Sequence, residues 1–196
     1  PNAAFYNKIY GKNKWYSTFI ISLGIGQGEL LLTTLQMANM SCLLGNRGYY
    51  KTPHLVKRFE NTSLDFPKDS IAVFQSSIDK QHFEHVVEGM KLVVQAGTGR
   101  QAQNNFTPVA GKTGTVQNKF GEDHSTFIGF SPTERPKIAV AVYVENSGGG
   151  GTFAAPIAGL IMEKYTNGEI SKQKKWVEER MINTILIEET EITDEN

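Results

Sequence analysis

Gly111-Lys112-Thr113 has the ending of a nucleotide-binding loop, in which glycine-rich backbone cradles a phosphate, lysine reaches its charge and a following helix adds its dipole. The rest of that pattern is missing. Position 106 should be glycine and is Phe106, while Gly114, Thr115 and Val116 suit a strand better than a helix. A second glycine cluster, Gly24, Gly26 and Gly28, fails as a dinucleotide fingerprint because Glu29 stands where the third glycine belongs. Moving the frame by one residue gives Lys112-Thr113-Gly114 followed by Thr115, on a segment expected to be a strand. Taken alone, these residues read as a solvated lysine, a bulge glycine and two β-forming threonines.

Other pairings have the right atoms for nucleophilic chemistry. Ser77-Ile-Asp-Lys80 and Ser171-Lys-Gln-Lys174 place a serine three residues ahead of a lysine, and Ser63-Leu-Asp65 pairs a hydroxyl with a carboxylate. With many serines and lysines in the chain, such matches arise by chance. His124 is expected to be structural at the start of a strand, and Glu145 to be a turn or salt-bridge residue. The single cysteine, Cys42, lies in the apolar stretch Met40 to Leu44, so it forms no internal disulfide and reads as packing.

The elements that must position these groups follow from spacing. The chain has 196 residues, enough for one domain or a large part of one, and 39% apolar content supports a core. Twenty basic and twenty acidic residues cancel, which excludes binding of nucleic acid or an anionic membrane through net charge. The longest apolar run, Ile138 to Val144, is far shorter than the about 20 residues that span a bilayer. No secretory signal is present, and a start at Pro1 reads as a piece of something longer. Pro1 to Trp15 is expected to lack regular structure. Thr18 to Ile25 is a short apolar stretch, and Leu31, Leu35, Ala38 and Cys42 predict a helix across Glu29 to Leu44, stopped by Gly45, Asn46 and Gly48. Tyr49 to Phe59 is expected to be extended, and Asn61 to Ser77 is mixed. Asp79 is expected to cap a helix burying Phe83, Val86, Val87, Met90 and Val94 and ending at Gly97. Strands are expected over Val109 to Gln117, Ser125 to Phe130 and Lys137 to Glu145, the last apolar on both faces and hence central. Glycines 148 to 151 form a flexible turn. A helix runs from about Thr152 to Tyr165, closed by Gly168, and an amphipathic helix from about Lys172 to Glu188 carries Met181, Ile182, Ile185 and Leu186, with an acidic, frayed end after it. The fold class is α/β of the α+β type, an antiparallel sheet of sequence-adjacent strands flanked by helices.

Ordered blocks then give the Lys-Thr-Gly triplet a context. They are Gly24-Ile-Gly-Gln-Gly-Glu29 leading into Thr34-Leu-Gln-Met-Ala-Asn39; Asn46-Arg-Gly48 with Pro53-His-Leu-Val-Lys57; Val87-Glu-Gly-Met90; Gly111-Lys-Thr-Gly-Thr115 with Gln117-Asn118; Asp123-His-Ser-Thr-Phe-Ile-Gly-Phe-Ser-Pro132; and Pro136 to Glu145 followed by glycines and Ala154-Ala-Pro-Ile157. Together they resemble the C-terminal half of class B penicillin-binding proteins, the peptidoglycan D,D-transpeptidases, in the branch of penicillin-binding protein 2. The resemblance covers almost everything from Tyr6 to Gly168, which implies residues 1–168 as the C-terminal part of the transpeptidase domain and 169–196 as a C-terminal helix and tail.

The resemblance implies a partial β-lactamase/transpeptidase-like fold whose sheet edge takes an acyl-D-Ala-D-Ala stem as an added strand. It implies that Lys112 sits near the substrate carboxylate and the proton-transfer network. The hydroxyls of Thr113 and Thr115 bind that carboxylate, Gly114 lets the substrate backbone approach, and the Thr115 amide is an oxyanion donor. Gln27 and Gly28 are implied to shape a supporting loop. No metal or other cofactor is implied. The implied partners are stem peptides, β-lactams, the remainder of the transpeptidase domain and a glycan polymerase of the rod complex, with no nucleic acid. The implied location is the inner membrane with a periplasmic catalytic domain. The family's Ser-x-x-Lys and Ser-x-Asn/Asp elements should precede this segment, so the chain is expected to hold no nucleophile and to be inactive alone. A non-catalytic peptide-binding module, a degenerate relative and a D,D-carboxypeptidase are the alternatives.

Overall fold

An eight-residue helix, α1 (Ala3–Tyr10), forms where the sequence suggested only turns, because the side chain of Asn2 caps it by accepting the Phe5 amide at 2.9 Å. The computed structural model describes residues 2–56 and 71–187. The chain divides into two units, Pro1–Thr33 and Thr34–Asn196. In the first, α1 and α2 (Ser17–Gly24) bring Tyr6, Tyr10, Trp15 and Phe19 into one aromatic cluster. Glu29 accepts hydrogen bonds from the hydroxyls of Tyr6, at 3.0 Å, and Tyr10, at 2.5 Å. Glu29 is thus a tether in a loop, not the start of a helix. Gly26 and Gly28 have φ of 80° and 78°, which shapes the Gln27 turn after α2.

In the second unit α3 is Thr34–Gly45, and strand β1 (Tyr49–Lys51) pairs with β2 (Val73–Gln75). The expected extension of β1 to Phe59, and Asn61 to Ser63-Leu-Asp65 beyond it, run into residues outside those described. α4 (Lys80–Gln95) buries Phe83, Val87, Met90 and Val94; Val86 is exposed, contrary to its place in the expected stripe. Asp79 has extended backbone at the cap position but makes no side-chain capping bond.

Three antiparallel strands form the main sheet in the order β3 (Ala110–Val116), β4 (His124–Ser131), β5 (Ile138–Val144). Among the described residues the central strand is β4, and the segment expected to be central, Lys137 to Glu145, supplies β5 beside it. Its two-sided apolarity reflects helices on both faces, while its outer edge has no partner strand among the described residues. On one face Val140 and Phe127 pack with Ala155, Ala158 and Met162 of α5 (Ala154–Asn167). On the other, Ala110 and Phe130 pack with Val87, Met90 and Leu44. α6 (Lys175–Asn183) buries only Val177 and ends short of the expected Glu188, so of the expected stripe only Met181 and Ile182 are on the helix, and Ile182, Ile185 and Leu186 are exposed. Ile138, Ile157, Leu160, Tyr165 and Met181 line an open apolar groove of ≈ 530 Å³ between α5 and α6. Inside this unit Glu163 is fully buried, accepts the Ser171 amide at 2.8 Å and pairs with Lys174 at 3.1 Å.

Candidate functional site

Lys112, Thr113, Gly114 and Thr115 lie together on β3, which has β4 on one side and no strand on the other among the described residues. Alternation along the strand sends Lys112 and Gly114 to one face and Thr113 and Thr115 to the other. Pairing with β4 sets Gly114 opposite Thr126. A Cβ placed on Gly150 would meet the oxygens of both Gly114 and Thr126 and the nitrogen of Gly114. Those carbonyls therefore converge, as in the close rung where two residues exchange both hydrogen bonds. The main-chain groups of Thr113 and Thr115 must then point outward, to the open edge.

Lys112 is exposed, and its ammonium donates to the Thr113 carbonyl at 2.7 Å, which brings a positive charge to that edge. The Thr113 hydroxyl is buried and stands 2.6 Å from the hydroxyl of Thr98. One of the two must donate to the other, so the pair keeps one proton for an external acceptor. Exposed Thr115 accepts the Gly150 amide at 3.4 Å. The site thus offers an ammonium, hydroxyls and two outward amides along an extended backbone, a set suited to an extended peptide ending in a carboxylate.

Gly114 has a reason inside the fold besides the one that the resemblance implies. The space of its missing Cβ is filled by the Thr126 hydroxyl, so the glycine is already required by the sheet. Gly111 likewise makes room for the Phe127 ring. Sequence reading missed Thr98 and the close seat of the 148–151 loop. The signal lay in Gly97-Thr98-Gly99, a hydroxyl between two small residues after α4, and in four consecutive glycines, of which Gly150 and Gly151 pack tightly here. A Cβ on Gly151 would lie 2.7 Å from the Thr98 oxygen.

The remaining candidates stand apart. Ser171 is buried beside α5, and Lys174, three residues on, is paired with Glu163, so this lysine is not free to serve a serine. Ser77 lies in the bend that precedes Asp79 and α4, away from β3 in the sequence. His124 accepts the Asn146 amide through Nδ1 at 3.0 Å and so braces the turn after β5, where Glu145 also lies. Cys42 is half-buried, and burial pushes its thiol up, which disfavours the reactive thiolate. Among the described residues no cluster of metal-ligating side chains occurs, and no helix is long and apolar enough to cross a membrane.

The family model of the penicillin-binding protein transpeptidase domain matches residues 3–163. The peptidoglycan D,D-transpeptidase MrdA of Haemophilus influenzae is 36% identical over 196 residues, covering 90% of this chain and 30% of the relative. The MrdA of Acinetobacter baumannii is 33% identical, covering 73% of this chain and 24% of the relative. Among solved structures, Pseudomonas aeruginosa PBP2 in complex with WCK 5153 superposes with a TM-score of 0.69 at 32% identity, covering 89% of this chain and 39% of that one. The chain therefore spans about a third of the length of these proteins.

Proposed function

This chain belongs to the penicillin-binding protein transpeptidase family, and from that premise we propose that it is the C-terminal, substrate-gripping part of a PBP2-like peptidoglycan D,D-transpeptidase. The observation that carries the proposal is the open β3 edge, with the Lys112 ammonium on the Thr113 carbonyl and the hydroxyls of Thr98, Thr113 and Thr115 beside it. A stem peptide ending in D-Ala-D-Ala adds along this edge, its main chain bonding to the outward groups of Thr113 and Thr115. Its terminal carboxylate lies among the hydroxyls and the ammonium.

In the reaction proposed for the whole protein, a serine oxygen attacks the penultimate D-Ala carbonyl and passes its proton to a neighbouring base. The tetrahedral oxyanion is held by the Thr115 amide and a second amide. Loss of one such donor typically slows the step about 100- to 1,000-fold. The C–N bond then breaks, and terminal D-Ala leaves with the transferred proton on its amine. An amine of a neighbouring stem attacks the ester, closes the cross-link and restores the serine. A β-lactam presents the same carbonyl and carboxylate and stops at the ester.

The serine and its base are proposed to lie in the remainder of the domain, outside these 196 residues. The apolar groove between α5 and α6 and the edge of β5, which has no partner strand among the described residues, give that remainder a surface to cover. Attachment to the inner membrane, a periplasmic catalytic domain and partnership with a glycan polymerase belong to the same proposal. The test is labelling with fluorescent penicillin. The full-length polypeptide carrying these residues should form a covalent adduct, and the 196-residue chain alone should not. An adduct on Ser77 or Ser171, located by mass spectrometry, would refute the assignment of the nucleophile. Absence of labelling of the full-length polypeptide would favour a non-catalytic peptide-binding module.

A further inference from the structure

Glycines 148 to 151, between β5 and α5, lose more conformational freedom on ordering than other residues would, so this loop keeps its seat only through the contacts that hold it. Its near end is tied where the Gly148 amide donates to the Asp123 carbonyl at 2.7 Å. Its middle meets the site. The Gly150 amide donates to the Thr115 hydroxyl at 3.4 Å, and Gly151 lies close against the Thr98 carbonyl. Its far end is Thr152, whose amide closes the turn by donating to the Gly149 carbonyl at 2.9 Å. The Thr152 carbonyl has no comparable route into α5. If that helix began one residue earlier, the amide to take it would be that of Pro156, which has no hydrogen to donate. Arg180 of α6 supplies a donor instead, its guanidinium bonding that carbonyl at 3.1 Å.

The rest of α6 keeps this donor in place. Its start is fixed on α5, because the buried Glu163 carboxylate accepts the Ser171 amide and pairs with Lys174, the residue before the helix. From there α6 runs back along α5 toward Thr152, with Val177 buried and Met181 sharing the groove with Ile157 and Leu160. The Trp176 ring lies one turn before Arg180, its centre 5.9 Å from the guanidinium carbon, and steadies that side chain. The family match ends at residue 163, so α6 lies outside it.

We propose that α6 is a strut for the substrate site and that Arg180 is a positioning residue for acylation. Arg180 touches no ligand; by holding Thr152 it keeps the 149–152 turn seated against Thr115. This rests on the transpeptidase reading above. The Gly150 amide occupies one acceptor site on the Thr115 oxygen, which leaves the hydroxyl proton to point at an outside acceptor such as a ligand's carboxylate. When the turn lifts, the hydroxyl loses that constraint and rotates freely, so the ligand must order it on binding.

The experiment measures the second-order rate of acylation by fluorescent penicillin for the full-length polypeptide and its Arg180→Ala, Arg180→Lys, Thr115→Val and doubly substituted Thr115→Val/Arg180→Ala variants. Arg180→Ala should acylate about 3- to 10-fold more slowly, the value of one ordinary hydrogen bond. Arg180→Lys should recover most of the rate, since one carbonyl needs one donor. In the Thr115→Val background the hydroxyl through which Arg180 acts is gone, so adding Arg180→Ala should slow acylation by less than about twofold. An Arg180→Ala variant that acylates like wild type overturns the inference. Equal slowing in both backgrounds, or no recovery with lysine, assigns Arg180 to general packing and overturns it as well. Failure of the unsubstituted protein to label overturns the transpeptidase reading and this inference with it, and is distinguished by needing no substitution to be seen.

Discussion

Alanine at Gly150 and alanine at Gly149 should behave in opposite ways. A Cβ on residue 150 would stand 2.6 Å from the Thr126 oxygen and 2.9 Å from the Gly114 nitrogen, with the Gly114 oxygen nearer still. All three atoms belong to a backbone rung that cannot swing aside. On residue 149 the nearest atom is the Thr115 hydroxyl at 3.7 Å, an ordinary contact. Neither glycine has a positive φ, so alanine meets no backbone strain at either position. Both replacements restrict the unfolded chain to the same degree, a stabilisation of about 0.4–1 kcal/mol. Overpacking at residue 150 opposes this with about 1–3 kcal/mol. Gly149→Ala should therefore be neutral or slightly stabilising, and Gly150→Ala should lose about 1–2 kcal/mol. Because the loop must lift from Thr115, Gly150→Ala should also slow penicillin acylation, by up to about 100-fold for a displacement near 1 Å. Thermal unfolding and labelling rates of the two variants in the full-length polypeptide check this. Equal behaviour of the pair would mean that the glycines serve flexibility alone, and the packing argument would be wrong.

Lys112→Ala should lower the acylation rate at least about tenfold, the loss of a charge-assisted contact, while leaving the melting temperature nearly unchanged because the side chain is exposed. Burial pushes the carboxyl of Glu163 up, but the bonds from Ser171 and the ammonium of Lys174 outweigh it and hold the group below the usual carboxylate range. A lowered native value stabilises the fold above the unfolded carboxylate range and is lost as pH falls through the native one. Protection of the Ser171 amide from hydrogen exchange should accordingly hold through the ordinary carboxylate range and weaken only at lower pH in wild type, and Glu163→Ala should show weak protection at every pH. Cys42, half-buried with its thiol pushed up, should react with iodoacetamide much more slowly than free cysteine at pH 8, as followed by mass spectrometry.

Much of the sheet and its lysine strand could be read from residue types, because alternating and continuous apolar runs are local signals. The cap of α1 is not legible in the sequence, since one asparagine side chain decides it and the aromatic residues it orders look like turn residues singly. Spacing places Glu29 in a helix, whereas its contacts with Tyr6 and Tyr10 depend on a fold of the chain that spacing does not encode. Thr98 was missed for the same reason. It lies 15 residues from Thr113 along the chain, and only the packing of α4 against β3 brings their hydroxyls to 2.6 Å.

The two outer edges of the sheet differ in kind, and that difference makes one more prediction. β5 is apolar on both faces, with Val140 packed toward α5 and Ala139 toward Leu44, so the sequence rightly read it as covered while its neighbour is set by what else joins the sheet. β3 carries an exposed lysine and threonine at its edge, and charge on an edge strand discourages permanent pairing. A β5 edge suits a fixed strand supplied by the remainder of the domain, whereas a β3 edge suits a ligand that comes and goes. In the full-length polypeptide the outward amides of β5 should therefore be protected from hydrogen exchange at all times. The Thr113 and Thr115 amides should exchange readily in the free protein and become protected once penicillin is bound. Protection of Thr113 and Thr115 before any ligand is added would mean that this edge is already paired, and a covered edge has no place for a peptide strand.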